Sequence, residues 1–245
     1  MHEHILFDLP PVLAPFPDKP GFAAHRDEGS GGIRIELPEA ELLFVPSFLP
    51  APTADALIEA MLANADLPVA GTDWLSVDPQ QVSWKNIQWQ RDHIRMFGKM
   101  VAVPRFSAWY GDEGKSYIYS GLKLNPHPWN DLLSGLRQGV EQRTGCAFNS
   151  VLLNWYRDGT DSMGWHADDE PELGPNPVIA SVNLGASRRF LMRRKDDHQC
   201  KWELALTHGS LLLMRGRMQH FWQHAIPKEK KIGSLRINLT FRTIC

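Results

Sequence analysis

The chain has 245 residues, 43% of them hydrophobic and 22% charged, the balance of an ordinary globular protein long enough for one large domain or two small ones. No apolar run reaches the ~18 residues of a membrane span, the start "MHEHILFDLPP" is not a signal peptide, and Cys146, Cys200 and Cys245 have no C-x-x-C spacing for a disulfide framework or a zinc knuckle. A net charge of −2 hides an uneven spread: residues 188–245 carry 13 Lys+Arg against 4 Asp+Glu, which fits either a footprint for a polyanion or a solvated strand edge. These features fit a reducing compartment, and the expected location is the cytoplasm, or the nucleus of a eukaryote.

Residues 1–35 hold Pro10, Pro11, Pro15, Pro17 and Pro20, then Gly29, Gly31 and Gly32, and read as an irregular N-terminal arm. Residues 36–245 then form one domain. The spacing predicts a helix over 52–64, with Leu57, Ile58, Met61 and Leu62 on one face and Thr53 as cap. A second helix covers 129–145, capped by Asn130, striped by Leu132, Leu133, Leu136 and Val140, and stopped by Gly145. From about 150 the pattern changes to short strands: 151–157, 178–184, 189–194, 201–206, 210–214 and 235–241 are each bounded by turn residues. The class is mostly β with flanking helices, α+β, with the helices first and a sandwich, barrel or jelly roll behind them.

The stretch "GWHADDEPEL" sets His166 and Asp168 one residue apart. In an extended chain such residues face the same way, so both side chains can reach one ion. H-x-D alone is a weak signal, because most such pairs are incidental. A third ligand is needed, and His198, His208, His220 and His224 follow. One carboxylate with two imidazoles, leaving other positions open, is the ligand set of non-haem Fe(II) oxygenases. The last strand strengthens the reading. In "SLRINLTFR", Leu235, Ile237, Leu239 and Phe241 share one face, and Arg236, Asn238, Thr240 and Arg242 share the other. Four polar residues facing inward would be costly in an apolar core. They make sense where that face binds a dianion, since guanidinium matches a carboxylate in a fork; a solvent-facing side is the plain alternative. In "VLLNWYR", Asn154 and Tyr156 likewise share a face opposite Val151, Leu153 and Trp155.

Taken together, "FNSVLLNWYRDGTDSMGWHADDEPELGPNPVIASVNLGA", "HGSLLLMRG", "WQHAIPK" and "LRINLTFRT" resemble the AlkB family of Fe(II)/2-oxoglutarate-dependent dioxygenases, and above all its members that repair alkylated nucleic acids. The resemblance runs from about Phe97 to Thr243 and is dense from 148 onward. It implies a double-stranded β-helix (jelly roll) core with N-terminal helices and a substrate-lid hairpin. It implies iron held by His166, Asp168 and His224, which leaves His198, His208 and His220 to surface or loop roles. It implies 2-oxoglutarate contacts at Asn154, Tyr156, Arg236, Asn238, Thr240 and Arg242, with Arg236 on the C5 carboxylate and Arg242 near the C1 end. With O2, such a centre oxidises an N-methyl carbon and yields succinate, CO2 and formaldehyde.

A base inside a duplex cannot reach such an iron, so the resemblance also implies a flipped or single-stranded substrate, methylated DNA or RNA. "GKSYIYSG" places Tyr117 and Tyr119 on one face as a lid, against which a base would stack opposite the His166 ring. Two strand tyrosines packing on a core is the plain reading. Trp89 matches a pocket tryptophan. "RMFGK" resembles the hairpin of a duplex-acting member, with Phe97 as wedge, Gly98 for the turn and Lys99 for phosphate; the stretch around His166 resembles instead a member that prefers single strands and RNA. Asp169 is expected to meet the exocyclic amine or positive ring of 1-methyladenine or 3-methylcytosine. Three other readings stay open: an oxygenase acting on a protein side chain or small metabolite, a non-enzymatic nucleic-acid-binding jelly roll, and a zinc hydrolase. A monomer is expected.

Overall fold

The computed structural model describes residues 16–96, 99–115, 117–119 and 122–245, with backbone alone for 94–96, 99–101, 117–119 and 122–124. In chain order the elements are β1 (Ala23–Asp27), β2 (Gly32–Leu37), β3 (Ala40–Val45), α1 (Ala51–Leu62), β4 (His93–Met96), β5 (Lys99–Ala102), β6 (Phe106–Gly111), β7 (Tyr117–Tyr119), β8 (Leu122–Leu124) and α2 (Asp131–Thr144). There follow β9 (Ser150–Tyr156), β10 (Met163–His166), β11 (Ile179–Gly185), β12 (Arg188–Arg194), β13 (Lys201–Leu206), β14 (Ser210–Gly216), α3 (Met218–Phe221), β15 (Trp222–Ile226) and β16 (Arg236–Arg242).

Eight strands form a major sheet in the order β1-β2-β3-β14-β11-β16-β9-β6, and four form a minor sheet in the order β10-β15-β12-β13. Their pairings are antiparallel throughout. Two antiparallel sheets facing each other make the jelly roll, and two hairpins, β4–β5 and β7–β8, stand beside it.

Period-two alternation divides the core in two. The odd-numbered residues of β16, Ile237, Leu239 and Phe241, join Val151, Leu153 and Trp155 of β9 and the buried faces of α1 and α2 on the outer side of the major sheet. On its other side, Ile35, Leu42, Phe44 and Leu212 meet Phe190, Met192, Trp202, Leu204 and Trp222 of the minor sheet. Each such buried side chain contributes about 1.5–3 kcal/mol, so both layers are held firmly and the strand faces between them are fixed.

The second helix follows its sequence signals. Asn130 caps it by accepting from the Leu133 N–H at 2.9 Å, and Gly145 ends it at φ 68°, where a β-carbon would be strained. The first departs from them. It begins at Ala51 behind Pro50, and no side chain caps it, so Thr53 lies inside the first turn rather than at the cap. The N-terminal arm is also shorter than expected. Residues 23–37 form the β1–β2 hairpin at the edge of the major sheet, with Gly31 at φ 66° in its turn. Strands therefore precede the helices as well as follow them. Residues 1–15 lie outside the described residues. Among the described residues no helix is long and apolar enough to cross a membrane, and all three cysteines are free.

Candidate metal centre and its cavity

His166 ends β10 and His224 lies in the middle of β15, and the two are direct partners in the antiparallel register. Side chains at paired positions rise on the same face, and the two ring centroids are 4.2 Å apart. Asp168 follows two residues after His166 and returns to that face. One ligand atom from each of the three lies within 4.8 Å of the others, the span of a single ion's coordination shell. His166 Nδ1 lies 2.9 Å from the Gly164 carbonyl, which can only accept, so Nδ1 carries the proton and Nε2 keeps its lone pair for a metal.

The charges are arranged for a cation. Burial, with His166 and Arg242 adding to it against the pull of Asp168, pushes His224 down to about 3, so its imidazole is neutral at any ordinary pH. Burial works the other way on Asp168, but Arg242 and the two imidazoles outweigh it and hold the carboxyl below its usual range. Arg242 Nη2 donates to Asp168 Oδ1 at 2.5 Å, while Oδ2 lies 3.6 Å from His224 Nε2. One carboxylate oxygen is thus occupied, and the other faces the ligand set.

The polar face expected on β16 exists and is buried, not solvated. Arg236, Asn238 and Thr240 are each less than a tenth exposed. Register pairing sets Arg236 opposite Tyr156 and Asn238 opposite Asn154 on β9, and Asn238 opposite Asn183 on β11. Asn183 Oδ1 accepts from Arg236 Nη2 at 2.6 Å, and Asn238 Nδ2 donates to Ser181 Oγ at 2.8 Å. Thr240 Oγ1 donates to Asn238 Oδ1 at 2.9 Å. The guanidinium of Arg236 lies 5.0 Å from the Tyr156 ring centroid, yet its Nε and Nη1 are buried without a hydrogen-bond partner. Burial and the neighbouring Arg188, opposed by Tyr156 and Glu229, pull its pKa down to about 10, which leaves it cationic at neutral pH. A carboxylate ligand is the group that would complete it.

A cavity of about 470 Å³ opens at His166 and Asp168. Asn154 and Arg242 line it from the β9–β16 side, and Arg91, His93 and Arg105 from the segment around β4 and β6. Arg105 Nε donates to Asn154 Oδ1 at 2.7 Å. Tyr156, Arg236, Asn238 and Thr240 are buried and do not line it.

Two sequence expectations change here. Asp169 is half exposed, bonds Lys195 Nζ at 2.7 Å, and does not line the cavity; Glu170 does. The reason is the alternation that pairs His166 with Asp168: one more step of two reaches Glu170, whose backbone is still extended (φ −64°, ψ 141°), and turns Asp169 away. Trp89 is no cavity wall. It is buried, its Nε1 donates to the Met61 carbonyl at 2.9 Å, and its ring packs 5.5 Å from Trp155 in the outer core layer. Phe97 and Gly98 lie outside the described residues. Lys99 in β5 and Tyr117 and Tyr119 in β7 are placed by backbone only, on hairpin strands beside the jelly roll. Part of the basic C-terminal portion is neutralised: Arg188, Arg189, Arg194, Lys195, Arg215 and Arg217 each meet a carboxylate. Arg193 instead donates to Gln223 and lies 4.2 Å over the Trp165 ring.

Sequence reasoning passes over Ser181, Asn183, Arg105 and Gln219, and it reads Glu170, ahead of Pro171, as a loop charge while favouring Asp169 for the base. Ser181 and Asn183 were findable, as two polar residues at alternate positions of an otherwise apolar strand. Arg105 and Gln219 gave no such signal, because their partners are distant in sequence.

A family profile described as the 2OG-Fe(II) oxygenase superfamily matches residues 42–242. The chain is 46% identical over 158 residues to the DNA oxidative demethylase ALKBH2 of Homo sapiens, covering 62% of this chain and 60% of that protein. It is 40% identical over 186 residues to the alpha-ketoglutarate-dependent dioxygenase alkB homolog 3 of Homo sapiens, covering 72% of this chain and 63% of that protein. It thus matches less than two thirds of the length of either relative. A solved structure described as that of OsALKBH1 superposes with a TM-score of 0.52 at 14% identity, over 84% of this chain and 97% of the other, and speaks for the fold.

Proposed function

This chain belongs to the AlkB family of the 2OG-Fe(II) oxygenase superfamily, and from that premise we propose that it removes alkyl groups oxidatively from nucleobases of the 1-methyladenine and 3-methylcytosine kind. The observation that carries the reading is the joint presence of the His166, Asp168 and His224 cluster and the buried, incompletely partnered guanidinium of Arg236. The first fits Fe(II): two imidazoles and one ionised carboxylate form its facial ligand set. The second fits the distal carboxylate of 2-oxoglutarate. When bound, Fe(II) with 2-oxoglutarate and O2 supplies the oxidation of an N-methyl carbon, the products being succinate, CO2, formaldehyde and the unmethylated base.

The chain's own residues do the rest. His166, His224 and the unoccupied oxygen of Asp168 hold the ion, and Arg242 keeps Asp168 ionised by sharing its other oxygen. Arg236 receives the distal carboxylate of 2-oxoglutarate, with Asn183 fixing one edge of its guanidinium. Asn154 meets the co-substrate from the cavity wall, its amide oriented by Arg105. Tyr156, Asn238 and Thr240 complete the polar surround. Glu170 faces the cavity as the carboxylate for the amino edge or the positive ring of the base. Tyr117 and Tyr119 serve as the lid, and Phe97, Gly98 and Lys99 as the contact to the strand. A cavity of about 470 Å³ has room for a base beside the ligand cluster, and a base stacked inside a duplex cannot reach it, so the base enters flipped or single-stranded. Action on nucleic acid, with three free cysteines, favours the cytoplasm or nucleus.

The test is formaldehyde release from oligonucleotides bearing one 1-methyladenine or 3-methylcytosine, as single- and double-stranded DNA and as RNA, with unmodified oligonucleotides and methylated peptides as controls. Release that needs both the methyl group and 2-oxoglutarate, and that falls to background in His166→Ala, is expected. Turnover of 2-oxoglutarate with the peptides and with none of the oligonucleotides would overturn the nucleobase assignment.

A further inference from the structure

Gln219 is fully buried, in the one turn of α3 between β14 and β15, and belongs to none of the groups assigned above. Its Oε1 accepts the main-chain N–H of Asp168 at 3.0 Å. Its Nε2 lies 3.7 Å from the sulfur of Met214. A thioether is a feeble acceptor, so the Asp168 N–H decides which way the amide faces, since only the oxygen can receive it.

Asp168 depends on that contact. The ladder pairing of β10 with β15 ends at His166, so ladder bonds do not reach Asp168. Its side chain, however, has the most demanding geometry in the cluster: one oxygen on Arg242, the other toward His224. A carboxylate on a two-torsion side chain goes where its backbone sends it. The residue that fixes this backbone comes from the segment leading directly into β15, the strand that carries His224.

We propose that Gln219 is a positioning residue for the metal: it locks the backbone of Asp168, and so divides the Asp168 carboxylate between Arg242 and the ion. The proposal rests on the metal reading above. A glutamine that merely filled the core would, on replacement, lower stability and leave ion affinity alone. A positioning glutamine moves the ion affinity itself.

The experiment is titration of the metal-free protein with Mn(II) alone, followed by the loss of the free-ion resonance signal, beside the thermal midpoint of each metal-free protein. Gln219→Met keeps the chain length and removes the acceptor. It is expected to weaken Mn(II) binding on the order of tenfold to a hundredfold, the usual effect of losing a partner behind a metal ligand. Met214→Leu disturbs the same spot and keeps the acceptor, and its affinity is expected within threefold of wild type. Wild-type affinity in a folded Gln219→Met overturns the proposal, as does an equal loss in Met214→Leu. Failure of the wild-type protein to bind Mn(II) overturns the metal reading instead, so the two failures are distinct. Amide hydrogen exchange on the metal-free wild type needs no variant: the Asp168 N–H is expected to be as protected as those of β16, and fast exchange there also overturns the proposal.

Discussion

Replacing Arg236 by methionine should have opposite effects on ligand binding and on the empty protein. The guanidinium is buried, one nitrogen donates to Asn183 at 2.6 Å, and Nε and Nη1 have no partner. A carboxylate bound there gains two charge-assisted hydrogen bonds worth about 1.5–3 kcal/mol each. Losing both weakens 2-oxoglutarate binding by on the order of a hundredfold to ten-thousandfold, at about 1.4 kcal/mol per factor of ten. In the empty protein the same change removes a buried cation that forms no salt bridge among the described residues, and replacing buried charged groups by apolar ones of similar volume is often neutral or stabilising, by about 1–4 kcal/mol for buried ion pairs. Against this stands the acceptor of Asn183, left with only the longer bond from Asn238 at 3.3 Å and so losing about 1 kcal/mol. The assay is anaerobic calorimetric titration of Mn(II)-loaded protein with 2-oxoglutarate, beside thermal unfolding without either ligand. Affinity within threefold of wild type refutes the reasoning. So does a loss of more than about 2 kcal/mol in the empty variant, since this would mean that Arg236 serves the fold and not the ligand.

Three further outcomes follow from the same geometry. His224 sits at about 3 in the folded state against about 6.5 unfolded, so the unfolded chain binds the extra proton in between. Metal-free stability is then fully present above pH ~6.5 and falls by roughly a few kcal/mol toward pH ~3; urea midpoints at stepped pH should show that slope, and His224→Leu should flatten it. Glu170→Gln should lower turnover on methylated oligonucleotides by about tenfold or more while Asp169→Asn stays within about threefold, because Glu170 lines the cavity and Asp169 is held by Lys195; steady-state formaldehyde release decides between them. Trp89→Phe should cost about 1–3 kcal/mol of stability through the lost bond to the Met61 carbonyl and the gap beside Trp155, with an unchanged ratio of activities on the two methylated bases.

What could be read from the sequence tracks how far each residue obeys a local period. β16 alternates without interruption, so its two faces are legible from the sequence alone, and β9 likewise. Asn130 and Gly145 act within one turn of α2 and were equally plain. β15 escaped notice. Its inward positions are Trp222, His224 and Ile226, and the ligand histidine interrupts what would have been an apolar stripe. β10 was hidden for a related reason, a register irregularity between Met163 and His166. The β1–β2 hairpin is harder to read, because the glycines of its turn and the prolines before it mask the short alternation of Ile33, Ile35 and Leu37. Trp89 shows the converse failure: an aromatic matched by likeness of position turned out to face the core, and position along the chain says nothing of facing when the local backbone is irregular. Gln219 bonds a residue far along the chain, which no window of sequence can contain.

The direct pairing of His166 with His224 has a consequence for biosynthesis. The two strands that carry these ligands are neighbours in space, but the whole of β11 to β14 separates them in the chain. A growing polypeptide that has emerged only as far as β14 holds two of the three ligands and no partner strand for β10. The third ligand arrives with β15, the strand that also joins β10 to β12 in the minor sheet. The complete three-residue ligand set therefore exists only once the chain has folded through β15.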